Sequence, residues 1–204
     1  RGRRLVISSI STVGNYDYAY YWYLNLDGEI EFEMKATGII NTAGCIPFSD
    51  NKYGTEVAPG VMGHIHQHIF CARLDIAIDG KNNYVYECDT VTELDSEKNP
   101  FGNAFFVNER LLENEGGFKK DEKRQRFWKF TSETKKNYMG KNTAYKLEPS
   151  GTISTFHEQD GPSGKRMGFI FNQMWVTPFE ENERYPAGDF VNGSDAHEGL
   201  PAFV

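Results

Sequence analysis

The sequence predicts an all-β protein, a large sandwich of short antiparallel strands, and three observations carry that prediction. Apolar and aromatic residues alternate with polar ones over several short runs, the two-residue period of a half-buried strand. Turn formers such as Asp27-Gly28 and Asp79-Gly80 stand between those runs, as they do in hairpins. No stretch joins a sustained 3.6-residue apolar period to helix caps.

The first predicted hairpin spans Leu5 to Gly38. Tyr20-Tyr21-Trp22-Tyr23-Leu24-Asn25-Leu26 alternates up to a two-residue Asp27-Gly28 turn, and Ile30, Phe32 and Met34 then alternate with Glu29, Glu31, Glu33 and Lys35. The acidic positions of that return strand place one face in water. A second hairpin is predicted from His64 to Ile78, turning at Asp79-Gly80-Lys81-Asn82-Asn83 and returning through Tyr84-Val85-Tyr86-Glu87-Cys88. Leu94 to Asn103, with Asn99-Pro100 at its centre, leaves the sheet as a connection. Further short strands are expected at Phe105-Phe106-Val107, Phe127-Trp128-Lys129-Phe130 and Ala144-Tyr145-Lys146-Leu147. Neither an internal repeat nor a linker interrupts the chain, so residues 1–204 read as part of one domain.

Composition narrows the function classes. With 204 residues, 39% of them hydrophobic and 14% aromatic, the chain has the means to bury a core. A net charge of −7 offers no broad basic surface for nucleic acid, and the basic stretch from Lys119 to Lys136 is interleaved with Asp121, Glu122 and Glu133. No apolar run approaches the roughly twenty residues that cross a bilayer, and Arg1-Gly2-Arg3-Arg4 is not followed by the long apolar region of a secretory signal. Glycine-rich phosphate-binding strings are missing, which removes support for nucleotide or nicotinamide binding. Cys45, Cys71 and Cys88 have neither disulfide-framework nor zinc-ribbon spacing. Unpaired thiols fit a reducing setting, cytoplasmic or peroxisomal, and no string within the chain decides between the two.

Two features carry chemistry. His66 and His68 alternate in a predicted strand, so both side chains share a face with backbones roughly 6–7 Å apart, a spacing that lets two imidazoles meet one ion. His64 continues the pattern, but roughly 13 Å separates it from His68, too far for both to reach one metal. Fifty positions before His66 stands Tyr16, within Asn15-Tyr16-Asp17-Tyr18. Taken alone, Tyr16 is one of the chain's eleven tyrosines and lies in an aromatic run, for which strand packing is a sufficient account. Asn15 and Asp17 read equally as turn or edge residues. His157 and His197 are loop histidines in turn-rich surroundings.

A cupin-like metal oxygenase is one alternative, since Gly60 precedes His66 by six residues; the glutamate that motif needs would fall no later than Ala72 or Arg73. A non-catalytic β-sandwich binding module is another.

The residues also carry a resemblance. Thr12-Val13-Gly14-Asn15-Tyr16-Asp17-Tyr18 with Trp22, then His66-Gln67-His68-Ile69-Phe70 and Arg73-Leu74-Asp75, then Asn99-Pro100-Phe101-Gly102-Asn103-Ala104-Phe105, then Tyr145-Lys146-Leu147, Trp175-Val176-Thr177 and Tyr185-Pro186-Ala187-Gly188-Asp189-Phe190, in that order, resemble the catalytic domain of the copper amine oxidases. The resemblance implies that Tyr16 is the precursor of topaquinone, made by copper(II) and dioxygen, and that the quinone takes the substrate as a Schiff base. It implies copper ligation by His66 and His68, and an orienting role for Asn15 and Asp17 beside the quinone. Asp75 and the carbonyl of Ile76 would belong to a second, calcium-like site that could hold calcium or manganese. The implied reaction takes a primary amine, dioxygen and water to aldehyde, ammonia and hydrogen peroxide, in a homodimer when the protein is full-length, with no nucleic acid and no membrane as partner. Chains of that family are much longer. The resemblance therefore places residues 1–204 in an incomplete catalytic sandwich, its base aspartate upstream of Tyr16 and its third copper histidine beyond Val204.

Overall fold

Among the described residues, twelve strands, all paired antiparallel, form four separate sheets. The computed structural model describes residues 2–179 and 181. The chain divides into two compact units, Arg1–His68 and Ile69–Val204.

In the first unit, β1 (Arg4–Val13), β2 (Tyr16–Asn25) and β3 (Ile30–Gly38) form a meander with β2 in the centre. The turn from β1 to β2 is the two-residue Gly14-Asn15, with Val13 opposite Tyr16 and Gly14 at φ +61. A glycine with positive φ at the first turn position is what a tight hairpin of matching twist requires. The turn from β2 to β3 differs from the expected two-residue loop. Leu24 pairs with Ile30, the Asn25 amide donates to the Glu29 carbonyl at 2.9 Å, and the Gly28 amide donates back to Asn25 at 3.1 Å. Three residues, Leu26 to Gly28, thus make the loop, and Gly28 at φ +90 supplies the left-handed residue that a three-residue hairpin needs.

Alternation sorts the side chains of β2. Tyr16, Tyr18, Tyr20 and Trp22 share one face, where the Trp22 ring lies 4.5 Å from that of Phe32 on β3. Tyr21 and Tyr23 stack on the other face, and Tyr23 donates to Glu33 at 2.6 Å beneath the Arg4 guanidinium. That bond holds the Glu33 carboxyl below its ordinary pKa and raises that of Tyr23. The unit is completed by β4 (Thr42–Gly44), β5 (Gly54–Ala58) and β6 (Val61–His64), with β6 between the other two.

The second unit is built on β7 (Asn83–Thr92), flanked by β8 (Phe105–Leu111) and β10 (Phe127–Lys136), with β11 (Asn142–Leu147) beyond β10. A two-stranded ribbon joins β9 (Gly116–Phe118) to β12 (Met174–Val176). Val85, Leu112, Trp128, Phe130 and Met174 form its core, with Ile76 and Ile78 packed against them. Beside that core, Arg126 grips Asp89 through two nitrogens at 2.7 and 2.8 Å and reaches Glu87 at 3.3 Å. Arg110 takes the other Glu87 oxygen at 2.8 Å, and Arg124 adds a third arginine at Asp89. These buried carboxylates are therefore paired.

A second expectation is corrected as well. The second hairpin does not form: β6 ends at His64, residues 65–82 lie outside strands, and Tyr84 to Cys88 pairs elsewhere. The reason is occupancy, because both edges of β7 are taken, by β10 from Phe127 to Ser132 and by β8 from Phe105 to Leu111. A third partner has no free ladder. The Asn83 side chain instead closes the turn, accepting from the Ile78 amide at 2.9 Å and donating to the Ile78 and Gly80 carbonyls. The all-β expectation holds, with one five-residue helix, α1 (Pro162–Arg166), and a 3-10 turn at Gly168–Phe171 among the described strands. Both are too short to give a periodic signal. No described helix is long and apolar enough to cross a membrane.

Candidate metal and tyrosine site

Tyr16 opens β2 directly after the tight turn, and backbone contacts fix it there. The Ile39 amide donates to the Asn15 carbonyl at 2.7 Å, drawing the exit of β3 over the start of β2. This approach needs a glycine at position 38: a Cβ there would lie 2.4 Å from the Asn15 carbonyl oxygen and 2.7 Å from Tyr16 Cα, and φ is +115. The chain then brings the Asn41 amide to the Tyr16 hydroxyl, to which it donates at 3.2 Å.

His66 and His68 follow β6 outside any strand, yet their ring centroids lie 4.7 Å apart, so the two imidazoles meet although the hairpin is lost. Their Nε2 atoms are 2.8 Å apart, and the Tyr16 hydroxyl is 3.0 Å from Nε2 of His66. The Tyr16 ring meets the His68 ring edge-on at 4.7 Å. Behind the imidazoles, Nδ1 of His66 contacts the His64 carbonyl at 2.9 Å and Nδ1 of His68 contacts the Tyr18 hydroxyl at 2.9 Å. Three donor atoms thus gather at Nε2 of His66. Two ligands on bonds of about 2.0–2.1 Å at a right angle stand about 2.8–3.0 Å apart, so these separations suit neighbouring positions around one ion. Neutral imidazole nitrogen and phenol oxygen are donors that suit copper.

The sequence model described as "Copper amine oxidase, enzyme domain" matches residues 1–204. The chain belongs to the copper amine oxidases. It is 45% identical over 206 residues to the histamine oxidase of Arthrobacter globiformis, covering all of this chain and 30% of that protein. To the primary amine oxidase of Arthrobacter sp. (strain P1) it is 44% identical over 204 residues, 98% of this chain and 31% of the relative. The crystal structure of a copper-containing benzylamine oxidase from Hansenula polymorpha superposes with a TM-score of 0.87 at 32% identity, covering 94% of this chain and 31% of that one. The chain therefore spans about 30% of the length of the curated relatives it matches. Copper and topaquinone are the groups this family implies.

Within this copper amine oxidase chain, the other expected residues lie as follows. Asp17 faces away from Tyr16 and accepts from the Thr12 hydroxyl at 2.5 Å, tying β2 to β1 beside the turn. The backbone of Asn15 forms that turn. His64 contributes its carbonyl to His66. Asp75 is exposed, whereas Ile76 turns its side chain to the core of the second unit. The exposed His157 contacts the Thr155 hydroxyl at 3.1 Å, and His197 lies outside the described residues. Among the described residues, no group of three or more His, Cys, Asp or Glu side chains converges on one point. The three cysteines are free.

Sequence reasoning missed four contributors: Tyr18, Gly38, the Asn41 amide and the His64 carbonyl. Two are backbone groups, for which side-chain identity gives no signal. Tyr18 was findable, because Tyr16/Tyr18 and His66/His68 are both spaced by two and so form two matched same-face pairs.

Proposed function

We propose that the full-length protein is a primary amine oxidase, and that this chain, part of one catalytic domain, makes and holds its redox centre. The observation that carries the reading is the convergence of Tyr16 Oη and the two Nε2 atoms of His66 and His68 within 3.0 Å of one another's nearest member. When bound, copper supplies Lewis acidity toward the phenol and redox chemistry with dioxygen, while topaquinone supplies the carbonyl electrophile for the amine.

The chain's own residues do the positioning. His66 and His68 supply neutral nitrogens held by a carbonyl and a hydroxyl, which limits ring rotation. The Asn41 amide donates to the Tyr16 oxygen and so helps fix where that oxygen lies. Asn15, through its turn, and Asp17, through Thr12, hold the start of β2 in register and so orient the Tyr16 ring. The overall reaction converts a primary amine, dioxygen and water to aldehyde, ammonia and hydrogen peroxide. Asp75 and the Ile76 carbonyl offer hard oxygen donors for a second cation such as calcium or manganese, with further ligands from outside this chain. A homodimer is the assembly we expect of the full-length protein.

The test uses that full-length protein, supplied with copper(II) and air and then treated with phenylhydrazine. A coloured adduct mapping to the peptide that carries Tyr16 is the expected result. An adduct on another residue, or an unmodified Tyr16 in active enzyme, overturns the assignment.

A further inference from the structure

Gly63 is buried within β6, opposite Thr42 of β4 and Thr55 of β5. A glycine weakens a strand interior, and the Gly63 backbone lies outside the left-handed region that would call for one. Room accounts for it. A Cβ at position 63 would stand 2.5 Å from Cδ1 and 3.4 Å from Cγ1 of Ile40, with Cγ1 of Val57 on β5 at 3.7 Å. Ile40 therefore sits in a notch that the missing side chain leaves in β6, with Val57 as its wall. Residues 39–41 connect the two sheets of the first unit, running from the end of β3 at Gly38 to the start of β4 at Thr42. On one side of this connection, the Ile39 amide donates to the Asn15 carbonyl and the Asn41 amide to the Tyr16 hydroxyl. On its other side, Ile40 rests on β6 three residues before His66.

We propose that Ile40, seated over Gly63, is a positioning residue for the oxidation of Tyr16. It is the spacer that sets how far the phenol stands from the His66 imidazole, 3.0 Å in this structure. The inference rests on the redox reading given above. Tyr16 is tied to the connection through Asn15 and Asn41, and His66 is tied to β6 by chain continuity and by the His64 carbonyl. Ile40 is where the two halves touch. Carbon atoms in favourable contact stand about 3.5–4.0 Å apart, so a methyl at position 63 must drive Cδ1 of Ile40 back by about 1 Å. A branched Cβ leaves χ1 of Ile40 little freedom, and the residues on either side are hydrogen-bonded to the start of β2. The push therefore passes to the connection and on to Tyr16. Misplacing oriented groups by 1 Å can slow their reaction about 100-fold. Both imidazoles come from the segment after β6, so the connection can move without separating them.

The experiment uses the full-length protein, loaded with copper(II) under argon and then exposed to air, and follows quinone absorbance per bound copper. Gly63→Ala is expected to load copper as wild type does and to form quinone about 100-fold more slowly. The double variant, Gly63→Ala with Ile40→Val, lacks the one carbon nearest the new methyl, and its rate is expected to return to that of wild type. A residue that served stability alone would lower the folded fraction and leave the rate per copper-loaded molecule unchanged. Ile40→Ala removes the spacer without adding bulk, and a slowed rate is expected there too. Crystals of the metal-free variants supply a second readout, the separation of Tyr16 Oη from Nε2 of His66. It is expected to change in Gly63→Ala and Ile40→Ala and to return to 3.0 Å in the double variant. A wild-type rate in Gly63→Ala, or in Ile40→Ala should Gly63→Ala not fold, overturns the role of Ile40 and leaves the redox reading standing. A double variant as slow as Gly63→Ala does the same. Wild-type protein that forms no quinone at Tyr16 overturns both.

Discussion

The histidines differ in what they contribute, and substitution separates them. His66→Ala and His68→Ala each remove one of the two converging nitrogens, so each is expected to abolish copper loading and the oxidation of Tyr16. His64→Ala keeps the carbonyl that supports His66, and copper content close to wild type is expected. Metal analysis of the three purified full-length variants checks this, and equal copper loss in His64→Ala would place its imidazole in the site. At this scale the sequence was informative about side chains. The spacing of two predicted that His66 and His68 share a face, and their imidazoles do meet although the predicted strand is absent. What could not be read was the backbone: the Asn41 amide and His64 carbonyl depend on how the chain folds back, which residue type does not encode.

Among the elements, the meander that carries Tyr16 was legible because each of its strands alternates and its turns contain glycine. Its second turn was one residue longer than predicted, a difference set by the register Leu24 to Ile30. The hairpin assigned to His64–Cys88 was illegible for a different reason. Its return strand was correctly placed in a sheet, but the competition of β8 and β10 for the edges of β7 is a long-range fact. Glycines in the meander lead to a prediction. Gly38→Ala introduces a Cβ into the Asn15 carbonyl at positive φ, whereas Gly14→Ala meets nothing within 4 Å and bears only the cost of φ +61. Left-handed backbone costs roughly 1–2 kcal/mol for a residue with a Cβ, so Gly14→Ala should lose about that much stability and still oxidise Tyr16. Gly38→Ala must also move the backbone beside Tyr16, and little quinone should form. Quinone titration beside denaturant unfolding decides it; equal yields from the two variants would dismiss Gly38 as a positioning residue.

For the molecule as a whole, the arginine–carboxylate cluster beside the second core sets a dependence on acid. The hydrogen bonds from Arg126 to Asp89 hold that carboxyl below its ordinary range; burial opposes the shift, and Arg124 reinforces it. A carboxyl with a lowered folded pKa binds fewer protons folded than unfolded, so its stabilisation is complete above the unfolded value of about 4. It is lost as pH falls through the lower folded pKa. Asp89→Asn should therefore cost about 3 kcal/mol at neutral pH, because it leaves Arg126 partly unpaired, and should flatten the loss of stability below pH 4. Hydrogen-exchange protection of the β7 and β10 amides from pH 7 down to pH 3 measures both effects. Parallel acid limbs in variant and wild type would remove Asp89 from this account.

Tyr16 and His66 meet across fifty residues of sequence. Bringing chain ends that far apart together costs roughly 3–4 kcal/mol of conformational entropy, so an unfolded chain seldom places the phenol beside the imidazole. On the reading proposed above, the oxidation of Tyr16 is then a covalent record of loop closure. A quinone-bearing molecule has closed that loop at least once, and it keeps the mark if it later opens. The colour of a preparation would report the folding history of its chains, while copper content reports how many are closed at the moment of measurement.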